Sequence, residues 1–177
     1  THDVGGVDTT FFNSVNGLRG LKGSCYEGGI RIPCVVKWPG KAQAGSTTDA
    51  ASYFPDWFPT LTEIGGGKMP AQKLDGVSLS QVIKGGALPK RHEPMIWEFN
   101  GYGGIIAVRD GKWKAIRRGL KGKKGPSPWE LYDIDADPKE KNDLSKKYPE
   151  RVQRLEKMWL ETRTKEPDFP VPMVDKK

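Results

Sequence analysis

The sequence predicts an α/β chain in two parts: pieces of an α/β layer over residues 1–90, then a small antiparallel meander with a closing helix over residues 91–177. Three observations predict this. Apolar and β-branched residues run through Ile30–Trp38 (IRIPCVVKW), bounded by glycine on one side and Pro39-Gly40 on the other. Asp110-Gly111 separates two apolar runs and is the strongest two-residue hairpin signal in the chain. Beyond Pro149, which suits a first helical turn, Val152, Leu155 and Trp159 fall on one face, backed by Met158.

In chain order, residues 1–29 are glycine-rich and aperiodic, with Phe11-Phe12 as their strong apolar anchor. The 30–38 run is apolar on both faces, which predicts a buried strand. After a polar loop at 41–48, Trp57, Leu61 and Ile64 keep helical spacing with Gly65 as the stop, and Asp49 offers an early cap. Pro55 and Pro59 leave two options: a start near Asp56 with Pro59 in the first turn, or a kink. Ser78–Lys84 predicts a second short helix, closed by Gly85-Gly86. The composition shifts near 85–94, and Met95–Phe99, Ile105–Arg109, Lys112–Ile116 and Trp129–Ile134 then predict strands. The EPDFPVPM tail has too many prolines for regular structure.

With 14 prolines and 22 glycines among 177 residues, loops take up much of the chain. A net charge of +7 draws anions of any kind: nucleic acid, membrane surface, or sulfated and phosphorylated substrates. No stretch approaches the roughly 20 apolar residues of a membrane-spanning helix. The N-terminal THDVGGVDTT has no basic or apolar leader pattern and reads as a loop within a longer protein. Cys25 and Cys34 lack zinc-site spacing; they either pair in an oxidising compartment or, the favoured option, fill small buried slots.

Lys22 lies between Gly20 and Gly23, as either a mobile cation suited to an oxyanion or a solvated lysine on a turn. Glu27 and Arg31, four apart across Gly28-Gly29, are expected to be structural, since no histidine or carboxylate is spaced to support acid–base work by Glu27. His2, beside Asp3, is either substrate-facing or simply exposed, and His92 is expected in a loop. Ser-His-Asp order, a GxSxG elbow, a P-loop and a strand–GxGxxG–helix context are all missing from the sequence. The basic run RRGLKGKKG (117–125) is either a solvated hairpin loop or a polyanion patch. No stacking aromatics accompany it, so nucleic acid is not an expected partner.

The stretch Lys22-Gly23, Glu27-Gly28-Gly29, Arg31-Ile32-Pro33 and Trp38-Pro39-Gly40 resembles the signature of the formylglycine-dependent type I sulfatases of the alkaline phosphatase superfamily, including the arylsulfatases. Three further segments are similar in register. These are Asp56 with Pro59-Thr60-Leu61, Leu74-Asp75-Gly76-Val77-Ser78-Leu79, and Trp129–Asp133 through Asp137-Pro138, Glu140 and Asn142-Asp143-Leu144.

The resemblance implies the C-terminal portion of a sulfate-ester hydrolase. It implies part of a sulfatase-like mixed-sheet domain, then an antiparallel subdomain with a C-terminal helix. Lys22 would contact the sulfate, with His2 a weaker candidate, while Glu27, Gly28, Gly29, Arg31 and Pro33 belong to the structural motif. Calcium and formylglycine would come from an N-terminal part. No Cys/Ser-x-Pro-x-Arg segment and no paired metal aspartates occur here, so no metal ligand is assigned and this polypeptide alone is expected to be inactive. The implied substrate is a sulfated carbohydrate or aryl sulfate, and the implied location periplasmic or extracellular. A phosphonate or phosphate ester hydrolase on the same scaffold, and a non-catalytic polyanion-binding module, are the alternatives.

Overall fold

The Asp110-Gly111 hairpin sets the register of a sheet that organises most of the chain. In the computed structural model, which describes residues 8–171 and 174–175, strands β1 (Met95–Phe99), β2 (Ile105–Asp110), β3 (Trp113–Arg118) and β4 (Glu130–Asp133) form one four-stranded sheet in that order. β2 pairs antiparallel with β3, and β3 with β4. Asp110 still pairs with Trp113, so the loop is Gly111-Lys112, one residue later than the sequence predicts. The reason is local: Gly111 takes the left-handed conformation (φ +58°) that opens a tight hairpin loop, while Asp110 stays extended.

Both faces of this sheet are covered, and strand alternation decides which residue meets which layer. On one face Ile106, Val108, Ala115 and Leu131 pack with Leu155 and Trp159 of helix α4 (Pro149–Thr162). Pro149 starts that helix as predicted, and Trp159 meets Trp129 edge-on at 6.0 Å. The Trp159 indole N–H donates to Glu98, whose carboxylate also accepts from Arg163 at 2.7 Å. On the opposite face Ile105, Ala107, Ile116 and Tyr132 pack with Cys25 and Tyr26. The part of the glycine-rich segment around Cys25 and Tyr26 therefore covers this face of the sheet, and it groups with the sheet and α4 in one unit.

The second unit, Pro33–Met95, is built around the buried carboxylate of Asp56. A 3₁₀ turn (Phe54–Asp56) leads into α2 (Trp57–Ile64), with Pro59 in its first turn; α1 (Glu27–Ile30) precedes it in the chain and α3 (Ser80–Ile83) follows it. Asp49 does not cap this start; Tyr53 is the cap of the turn, and Asp56, its third residue, reaches back to accept from the Tyr53 N–H at 2.9 Å. It also accepts from the Val77 N–H at 2.9 Å and from both terminal nitrogens of Arg91. The Thr60 hydroxyl donates to the Asp56 carbonyl at 2.6 Å and accepts from the Leu79 N–H at 2.8 Å. A side chain at Gly76 would collide with the Pro55 carbonyl. The Asp-x-x-Pro-Thr-Leu and Leu-Asp-Gly-x-Ser-Leu segments are thus two halves of one structural joint, with Arg91 as its third member.

Three expectations need correction. Ile30–Trp38 is not a strand: Ile30 ends α1, and residues 31–38 belong to none of the described strands. Burial of a strand comes from neighbours on both edges and faces. No described strand flanks this one, so Ile32 and Val35 stand 72% and 94% exposed. Phe11 and Phe12 are exposed rather than anchoring the loop. Of the two cysteines, both free, Cys25 is buried as expected and Cys34 is exposed.

Candidate functional site

The Lys22 turn is held by backbone contacts that only glycine permits. Gly20 and Gly23 adopt φ +82° and +89°, in the region that side chains disfavour. The Gly28 N–H donates to the Arg19 carbonyl at 2.7 Å. A Cβ at Gly28 would run into the carbonyls of Arg19 and Gly20, and one at Gly29 into those of Leu21 and Ser24. The first turn of α1 therefore lies directly on the backbone that carries Lys22. Lys22 itself is exposed at the turn, and among the described residues its ammonium makes no ion pair or hydrogen bond.

Beneath this turn lies a buried charge network. Glu27, 2% exposed, accepts from Lys114 Nζ at 2.7 Å with one carboxylate oxygen and from Arg31 Nε at 2.7 Å with the other. Lys114, fully buried, is also 3.0 Å from Glu140, and Glu140 accepts from the Glu27 backbone N–H at 2.7 Å. Two carboxylates and two cations leave the cluster formally neutral. Burial works against ionisation of Glu27, but Lys114 and Arg31 outweigh it and hold its carboxyl below the usual range. For Glu140 burial prevails over the pull of Lys114, and its carboxyl is pushed up. Burial also raises the neighbouring Cys25 thiol to about 11, which makes it an inert packing group.

A second network ties the same turn to β4. Arg19 lies 3.9 Å over the Tyr26 ring and donates to the Tyr132 hydroxyl at 2.6 Å and to the Glu140 carbonyl at 3.1 Å. Tyr26 and Tyr132 both donate to Glu130, at 2.7 and 2.6 Å. Burial and the Glu130 carboxylate push both phenols well above their usual range. The Glu-Leu-Tyr-Asp and Asp-Pro-x-Glu segments therefore hold the Lys22 turn from below.

These contacts give Glu27, Gly28, Gly29 and Arg31 structural positions, whereas Pro33 is exposed. His2 lies outside the described residues, and His92 falls in a loop. Among the described residues no group of three or more His, Cys, Asp or Glu is placed to hold a metal ion, and no helix is long and apolar enough to cross a membrane. Lys114 and Arg19 were not singled out from the sequence, and Glu140 stood there only as one residue of a similar segment, with no role assigned. For Lys114 the available signal was a lysine at a position that strand alternation places on the same face as Ile116.

Known proteins resemble both the sequence and this arrangement. Arylsulfatase A of Bos taurus is 39% identical over 102 residues, 55% of this chain and 20% of that protein. Choline-sulfatase of Rhizobium meliloti is 32% identical over 136 residues, 73% of this chain and 24% of that protein. Among solved structures, Ps i-CgsB is similar over 81% of this chain and 31% of its own, with TM-score 0.70 and 29% identity. A Bacteroides thetaiotaomicron chain, solved in work on the metabolism of multiple glycosaminoglycans, is similar over 88% of this chain and 35% of its own, with TM-score 0.65 and 26% identity. The chain thus spans about a fifth of the length of the curated relatives it matches. The four-stranded sheet, its closing helix and the glycine-held turn define the C-terminal portion of a sulfatase. Within that class the chain belongs to the family described as N-sulphoglucosamine sulphohydrolase, C-terminal, which matches residues 21–165.

Proposed function

We propose that this chain works as the C-terminal part of a sulfate-ester hydrolase and presents Lys22 to the sulfuryl group of the substrate. The observation that carries the proposal is an exposed lysine, with no ion pair or hydrogen bond among the described residues, on a turn packed against Gly28, Gly29 and the Glu27–Lys114–Glu140 network. An ammonium carried on such a turn donates to sulfuryl oxygens and offsets their charge as the ester bond breaks. Preorganised donors of this kind act most strongly when their supporting shell does not move.

The substrate class is a sulfated carbohydrate or an aryl sulfate. The carbohydrate option draws support from Ps i-CgsB, which has also been solved with k-i-k-neocarrahexaose (TM-score 0.68, 28% identity). Calcium and formylglycine belong to this proposal as groups of the remainder of the protein. The described residues do not fit a resident metal, and no step here runs through one. The same remainder is the partner proposed to cover the exposed 31–38 segment, and a periplasmic or extracellular location accompanies the reading.

Hydrolysis of 4-nitrophenyl sulfate against the corresponding phosphate and phenylphosphonate esters, by the complete protein, tests it. Preference for the sulfate ester is expected. Preference for either phosphorus ester would move the reading to a phosphoester or phosphonate hydrolase on the same scaffold.

A further inference from the structure

An open groove of about 760 Å³ lies between the backbone flanking Lys22 and the Ile105–Arg118 end of the inner β2–β3 pair; Arg19, Ser24, Tyr26, Tyr102 and Arg118 line it. Tyr102 is 80% exposed, and one edge of its ring rests on the turn. Its backbone holds φ +49°, and the glycines after it, Gly103 and Gly104, are left-handed as well. The ring lies against Gly23, where any side chain would collide with its carbons. It also stands 6.0 Å from the ring of Phe99. The glycine after Lys22 thus makes room for an aromatic plate beside the lysine.

The far side of the groove is cationic. Arg118 is half-exposed at the end of β3, and the basic loop that follows it begins at Gly119 and ends at Gly125, both of which line the groove. That loop carries Lys121, Lys123 and Lys124, all exposed. Two hydrogen bonds tie it to the Tyr102 loop: Lys121 N–H to the Gly103 carbonyl at 2.9 Å and Leu120 N–H to the Gly104 carbonyl at 3.3 Å. Glu130 pairs with Arg118 at 2.9 Å and with Arg19 at 3.3 Å, which offsets part of the charge of the two arginines, while the three lysines stand on the loop between the groove-lining Gly119 and Gly125.

An exposed flat ring beside a lysine, followed by a cluster of cations, matches a sugar chain with more than one anionic group. A pyranose face packs on an aromatic ring through its C–H groups, and the next residue's sulfate or carboxylate meets the cations. We infer that this groove is a subsite for the anionic sugar next to the one whose sulfate reaches Lys22, with Tyr102 as the stacking plate and Arg118 with the 121–124 lysines as the anion contact. This rests on the sulfate-ester reading above and narrows its substrate to an anionic oligosaccharide.

The test uses the complete protein, its Tyr102→Ala variant, a Lys121→Ala/Lys123→Ala/Lys124→Ala triple variant, and Lys157→Ala on the exposed face of α4 as a charge control. Two readouts are taken. One is binding of heparin-, chondroitin sulfate- and carrageenan-derived tetrasaccharides by calorimetry. The other is the ratio of kcat/KM on the bound tetrasaccharide to kcat/KM on 4-nitrophenyl sulfate. At least one tetrasaccharide is expected to bind, and Tyr102→Ala and the triple variant each to weaken it about tenfold and lower the ratio about tenfold, with Lys157→Ala without effect. No binding by any tetrasaccharide, or equal losses on both substrates, or unchanged ratios, would overturn the subsite. If no sulfate ester is hydrolysed but tetrasaccharide binding still falls in the Tyr102 and lysine variants, the hydrolase reading fails while the subsite stands.

Discussion

Replacing Lys114 by methionine tests whether the Lys22 turn is held by charge or merely rests on the sheet. Lys114 is fully buried and serves two carboxylates, Glu27 at 2.7 Å and Glu140 at 3.0 Å, that are themselves almost wholly buried. Methionine keeps the length and apolar stem of the side chain, so the loss is chiefly the charge. Glu27 keeps Arg31, and it is Glu140 that is left buried without a counter-ion; removing one partner from a buried pair costs about 3–5 kcal/mol. At 1.36 kcal/mol per tenfold, that is roughly two to nearly four decades in hydrogen-exchange protection for β3 amides that exchange by global opening. Lys112→Met, which breaks a half-exposed pair with Asp133, is the matched control and is expected to cost under about 1 kcal/mol. Equal protection losses in the two variants would refute the reasoning.

The remaining predictions concern titration, the Asp56 joint and the exposed segment. Glu140 has a raised folded-state pKa, so the native state holds its proton longer and stability from this group falls as pH rises through that pKa; Glu27, held low, contributes stability that is lost as pH falls below the usual carboxylate range. Glu140→Gln is therefore expected to look progressively better against the wild type as pH rises from 4 to 8 in denaturant titrations, and a flat difference would contradict it. Asp56→Ala strips Arg91 of its buried partner and is expected to cost about 3–5 kcal/mol, seen as faster proteolysis within residues 53–79; wild-type proteolysis rates would refute the joint. Val35→Glu at a site 94% exposed in this chain would change stability by under about 0.5 kcal/mol if the segment were free. In the complete protein it is expected to lower the yield of folded material severely, and unchanged yield would show that nothing covers residues 31–38.

Much of the fold was legible because its signals are local. Pro149 with the Val152–Leu155–Trp159 stripe marked the start of α4 to the residue, and a glycine able to turn left-handed marked the hairpin within one position. The 30–38 segment was misread for a non-local reason: apolar, β-branched residues favour a strand locally, but a strand also needs a hydrogen-bonding neighbour, and none of the described strands pairs with residues 31–38. The site divided in the same way. The glycine spacing around Lys22 and Glu27 was visible, and the structure supplies its cause in carbonyls that leave no room for a Cβ. The clamp was not visible, since Lys114 and Glu140 stand 87 and 113 residues from Glu27, and nothing in a one-dimensional pattern pairs charges over that distance.

Lys22→Ala in the complete protein, assayed for kcat/KM on 4-nitrophenyl sulfate with folding checked by circular dichroism, tests the central claim most directly. If Lys22 donates to the sulfuryl oxygens, the variant folds normally and loses about 10²–10³-fold in kcat/KM, the size of effect seen when one preorganised donor is removed. Turnover within twofold of the wild type would contradict the account and leave Lys22 a solvated lysine on a well-held turn.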